Sequence, residues 1–80
     1  MLDRAYERHF RGVLEFKEEE AARRSVAKID RLFRMFQHAG DRAGQHACEL
    51  VALMVRNRAR WAGKTAASAV FMDWLVARDD

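Results

Sequence analysis

From Ala22 onward, apolar residues return at every third or fourth position: Ala22, Val26, Ile29, Phe33 and Phe36, with Leu32 on the flank. A helix turns about 100° per residue, so this spacing gathers them on one face and predicts an amphipathic helix that ends near His38. Upstream, Leu2, Tyr6, Phe10 and Val13 keep the same kind of spacing, but on a straight helix they would point roughly half a turn away from the later stripe. The pattern therefore predicts a short first helix and a break between Gly12 and the acidic stretch EFKEEE, with RGVLEF open to being a short extended segment. Glu18, Glu19 and Glu20 then fall in the first turns of the second helix, where carboxylates suit the positive end of its dipole.

Gly40 punctuates the chain, Asp41 is placed to cap a third helix, and Gly44 falls in its first turn. Ala43, Ala47, Leu50, Val51, Met54 and Trp61 share one side of this helix, which should run to Ala62, and they are its expected core face. After Gly63, Thr65 is placed to cap a last helix. Ala67, Val70, Phe71, Trp74 and Leu75 cluster on one of its faces, with Met72 and Val76 on the other, and only Ser68 and Asp73 are polar between Ala66 and Ala77. A helix apolar nearly all round is normally buried on more than one side, and three or four short helices in 80 residues can hardly surround it. Met72 and Val76 are thus the first candidates for contact with a protein partner or a second copy of the chain.

The absence of proline, the abundance of alanine, leucine, arginine and glutamate, and the lack of any Asn-Gly or Asp-Gly hairpin signal all reinforce helix. The expected fold is all-α, a small helical bundle of three to four helices, with residues 1–80 as a single domain. A single cysteine, Cys48, builds neither an intramolecular disulfide nor a zinc site, which suits a reducing, cytoplasmic setting. No apolar stretch follows Met1 as a signal peptide would require. The longest apolar run, Leu50 to Val55, is far short of the roughly 20 residues that span a bilayer, so no membrane association is expected.

The net charge of +3 is unevenly spread, because residues 23–64 carry ten Lys or Arg against Asp30, Asp41 and Glu49. At helical pitch the arginines of VRNRARWAGK serve two faces. Arg56 and Arg60 lie one turn apart, with Arg42 further back and Lys64 just beyond, opposite the Leu50, Met54 and Trp61 stripe. Arg58 falls between Met54 and Trp61 on the apolar side, where it is expected to form a rim or interface salt bridge, for instance with an acid of the Glu18–Glu20 run. Arg24, Lys28 and Arg31 make a second stripe on the second helix, continued by Met35 and His38. Should the two stripes adjoin, Arg24, Lys28, Arg31, Arg56 and Arg60 would offer phosphates one salt-sensitive surface.

Candidates for chemistry are few. His46 and Glu49 stand three apart, a spacing found in helical metal sites, but no second helix offers matching ligands, and Cys48 points away from His46. His9 and His38 have no identifiable partner. No phosphate loop, nucleophile elbow or serine, histidine and acid set is present, so neither enzyme activity, nor a metal, nor a cofactor is expected. Phe10, Phe16 and Tyr6 have the shape to stack on single-stranded bases, although their spacing suits packing. Phe33, Phe36, Trp61, Phe71 and Trp74 are assigned to the core.

The sequence thus points to a small non-enzymatic protein–protein interaction module, an adaptor, regulator or accessory subunit. It would dock through apolar helix faces, with Met72, Val76 and Arg58 as contact residues and the basic stripes as electrostatic guides. A nucleic-acid-binding regulator using the five stripe residues is the alternative, and a homodimer is compatible with either.

Overall fold

In a computed structural model, which describes residues 4–12 and 18–78, local chain chemistry sets where each helix starts and stops. α1 (Arg4–Glu7) continues as a 3-10 turn over Arg8–Phe10, and α2 (Glu19–His38), α3 (Arg42–Trp61) and α4 (Thr65–Arg78) follow. Among the described residues there is no strand, and the molecule is a small all-α bundle in which α2, α3 and α4 all pack against one another. The anticipated break lies in part outside the described residues, as do Leu2, Val13 and Phe16.

α2 and α3 end in the same way. Gly40 and Gly63 adopt φ of +69° and +74°, a left-handed conformation that costs glycine nothing. Each turn then closes with the paired backbone bonds of a Schellman motif, Asp41 N to Phe36 O and Gly40 N to Gln37 O, and Lys64 N to Ala59 O and Gly63 N to Arg60 O. Asp41 caps α3 as its position suggests, its carboxylate accepting from Gly44 N at 3.0 Å. At α4 the carbonyl of Lys64 receives Ser68 N, so Lys64 holds the capping position expected of Thr65.

The core is assembled from large residues on α2 and α4 and small ones on α3. Ile29, Phe33 and Phe36 meet Phe71 and Trp74, with Phe33 and Trp74 edge to face at 5.6 Å. α3 buries Gly44, Ala47, Cys48, Val51, Ala52, Val55 and Ala59. This rotates α3 away from the expected orientation: Ala47 and Val51 are inside, but Ala43, Met54 and Trp61 are exposed and Leu50 is only half-buried. The cause is steric. A Cβ on Gly44 would lie 2.5 Å from Phe36 ring atoms, so α3 approaches where small side chains allow it, and the aromatics of its neighbours fill the interior. A Leu50, Met54 and Trp61 face would overfill that space.

The N-terminal segment closes one end. Tyr6 and His9 both meet the Phe36 ring edge to face, at 5.5 and 5.6 Å, and Phe10 is buried. The Tyr6 hydroxyl donates to the Asp41 carboxylate at 2.9 to 3.0 Å, so the residue that caps α3 also anchors α1. α4 is tied to α2 through Asp30, which accepts from Trp74 Nε1 at 2.9 Å, Arg78 Nη1 at 3.0 Å and Arg34 Nε at 2.9 Å. No helix among the described residues is long and apolar enough to cross a membrane.

Candidate docking surface

With its small residues turned inward, α3 presents its large apolar residues to solvent. Leu50, Met54 and Trp61 are spaced four and seven apart, which on a helix leaves them within about 40° of one another. Leu53 flanks them. Leu53 and Met54 are exposed, and Trp61 has 90% of its surface in water. An isolated exposed leucine needs no explanation, but a stripe ending in a bare tryptophan does, because covering a Trp side chain removes roughly 150–250 Å² from water, on the order of 4–6 kcal/mol before the costs of association.

The stretch of chain that carries the end of the stripe is positive. From Leu50 to Met72 the chain contains no Asp or Glu, and Arg56, Arg58, Arg60 and Lys64 all fall in that interval. Among the described residues none of the four forms a salt bridge. Arg60, expected on the opposite side of α3, instead lines a shallow depression with Asn57 and Trp61, and Arg58 and Lys64 are exposed. The bridge anticipated between Arg58 and the Glu18–Glu20 run is not formed, because Glu19 and Glu20 pair within α2, with Arg23 at 2.7 Å and Arg24 at 3.3 Å. Arg56 is half-buried: its Nη1 donates to Asn57 Oδ1 and its Nε is enclosed without a partner.

On α4, Val76 is 58% exposed and Met72 half-buried, both off the face that carries Phe71 and Trp74. Met35 on α2 is also exposed.

The stripe of Arg24, Lys28 and Arg31 keeps different company from the cations of α3. These three line one depression with Gly12, and Lys28 Nζ donates to the Arg11 carbonyl at 2.9 Å. The neighbour of the α2 stripe is therefore the N-terminal segment, and Arg4, Arg8 and Arg11 line a further depression there with Glu7. Sequence reasoning passed over those arginines, although their spacing of four and three was visible.

The candidates for chemistry are spread apart or already used. His46 is exposed and Glu49 half-buried, and among the described residues no three His, Cys, Asp or Glu gather as a metal site would need. Cys48 is buried, and that burial, with the Glu49 and Asp30 carboxylates adding to it, pushes its thiol up to about 12, the opposite of nucleophilic activation. Asp30 borders a groove between α2 and α4, but its oxygens are occupied by Trp74, Arg34 and Arg78. The Trp74 hydrogen bond, followed by the two arginines, holds its carboxyl below the usual range against the opposing pull of burial.

No protein-family model matches the chain, nor does any curated protein or solved structure.

Proposed function

We propose that this protein is a small interaction module whose outward face of α3 docks an acidic amphipathic helix of another protein. The observation that carries the reading is Trp61, almost wholly exposed at the end of the Leu50 and Met54 stripe and beside Arg60, which forms no salt bridge among the described residues. A helix laid in an apolar groove is read through anchors at helical spacing, and a tryptophan is a frequent energetic centre of such contacts. Arg58, Arg60 and Lys64 would attract carboxylates on the rim, adding on-rate and orientation rather than most of the affinity. Val76 and the edge of Met72 supply a second apolar contribution from α4. A second copy of the chain fits this face poorly, since two such surfaces would bring cations onto cations.

The test is a selection from a displayed library of random helical peptides against the immobilised protein. Selected peptides should carry Leu, Phe or Met at helical spacing together with Asp or Glu, and should lose binding to Trp61→Ala. Peptides without acidic bias, or ones that bind Trp61→Ala equally well, would sink the proposal. So would a concentration-dependent dimer in sedimentation that Trp61→Ala abolishes, because the occupant would then be the chain itself.

A further inference from the structure

Away from the α3 face, the N-terminal segment and the outer side of α2 bring six cations together. Arg4, Arg8 and Arg11, spaced four and three, are all exposed, and Arg24, Lys28 and Arg31 repeat the same spacing on α2. The two rows meet where Lys28 Nζ holds the Arg11 carbonyl and where Gly12 enters the depression formed by the α2 row. Within this surface the described carboxylates are Glu7, beside Arg4, Arg8 and Arg11, and Glu20, on Arg24 at 3.3 Å. Among the described residues, six cations against two carboxylates is a strong local imbalance in a chain whose whole formal charge is only +3. An arrangement that merely kept the protein soluble would intersperse the two signs.

We propose that this surface binds the phosphate backbone of duplex nucleic acid without reading its sequence. Two rows of cations offer repeated contacts to a polyanion, and arginine's planar fork suits phosphate oxygens. Among the described residues, the aromatic side chains nearby are not free to stack on bases. Phe10 is buried, Tyr6 is hydrogen-bonded to Asp41, and His9 sits against Phe36. A surface of cations with no stacking platform among the described residues suits a duplex backbone better than splayed single-stranded bases. The protein would then hold nucleic acid on one surface and a protein helix on another, with no residue shared between them.

The experiment is an anisotropy titration of a labelled mixed-sequence DNA duplex, and of one of its strands, across roughly 50 to 200 mM salt. With four phosphates neutralised, duplex affinity should fall about 150-fold over that range, from a slope of about −0.9 per phosphate. Arg8→Ala, Arg24→Ala and Arg31→Ala should each make the slope shallower by about one unit, whereas Arg60→Ala and Trp61→Ala should leave it unchanged. Circular dichroism separates folding from binding, and if Arg8→Ala loses helicity, the two α2 variants carry the test. Absence of duplex binding at the lowest salt would overturn the proposal. So would tighter binding to the single strand that Trp61→Ala removes, since the α3 face would then be the nucleic-acid site and the protein-docking reading of that face would fall with it.

Discussion

Gly44 lies beneath the ring of Phe36 so closely that a Cβ built on it would come within 2.5 Å of two ring atoms. A glycine inside a helix ordinarily costs about 1 kcal/mol relative to alanine. Here the close approach should reverse that sign, because the contact involves the base of the Phe36 ring and not the free end of a flexible chain. Gly44→Ala should destabilise the protein by roughly 1–2 kcal/mol, the range for modest overpacking offset by improved helix propensity. Urea denaturation of Gly44→Ala, alone and with Phe36→Leu, checks this, since the smaller partner should relieve most of the loss. A stabilised Gly44→Ala would show that α3 does not approach α2 through this glycine.

The same contact explains which part of the fold was legible in the sequence. The end of α2 and both ends of α3 follow from Gly40, Asp41 and Gly63, local signals that tertiary packing left alone. The inward face of α4 was also readable, because its largest residues, Phe71 and Trp74, are the buried ones. On α3 the rule of placing large apolar residues inside failed. The helix has two apolar faces, and hydrophobicity favours Leu50, Met54 and Trp61 over Gly44, Cys48, Ala52 and Ala59. Which face turns inward depends on the bulk arriving from Phe36, Phe71 and Trp74, which no local window contains. A row of small residues at 44, 48, 52, 55 and 59, in a chain whose other helices are rich in aromatics, was the available clue. The joining of Arg11 to Lys28 is likewise a long-range contact, and nothing in either segment announces it.

Asp30 makes the bundle sensitive to acid. Its carboxyl is held below the usual range in the folded protein by the Trp74 indole, Arg34 and Arg78, so the ionised form is favoured by folding. A depressed folded pKa contributes stability that is fully present above the unfolded value of about 3.8 and is lost as pH falls through the folded value. Asp30→Ala should therefore cost on the order of 1–3 kcal/mol at neutral pH, through unpaired Trp74 and Arg78 donors, and progressively less below pH 4. Denaturation curves for both proteins at neutral and at acid pH measure it. A difference that does not shrink in acid would mean that the carboxylate's charge is not what ties α2 to α4.

Cys48 should be silent towards thiol reagents in the native state. Burial in the α3 core both blocks access and pushes its thiol up to about 12, leaving almost no thiolate at neutral pH. Reaction with a chromogenic disulfide should therefore be slow, and should accelerate by orders of magnitude in denaturant, reporting global opening of the bundle. Fast modification without denaturant would place Cys48 in a locally opening part of α3 and would weaken the packing described around Gly44.

The outward apolar residues should separate stability from binding. Trp61 and Val76 are exposed, so Trp61→Ala and Val76→Glu should each change unfolding free energy by no more than about 0.5 kcal/mol, the usual range for surface substitutions. Met72 is half-buried, and Met72→Glu would bring a carboxylate against apolar surface, so it should cost more than Val76→Glu while the protein remains helical. Binding of a selected acidic helix should show a different order: Trp61→Ala loses most, on the order of 2 kcal/mol or more as interface tryptophans do, and Val76→Glu loses less, partly by repelling acidic residues of the peptide. Thermal melts alongside peptide titrations decide the matter. Loss of all helical signal in Val76→Glu or Met72→Glu would identify that residue as internal core, and a Trp61→Ala protein that binds normally would leave the stripe on α3 without the role argued for it.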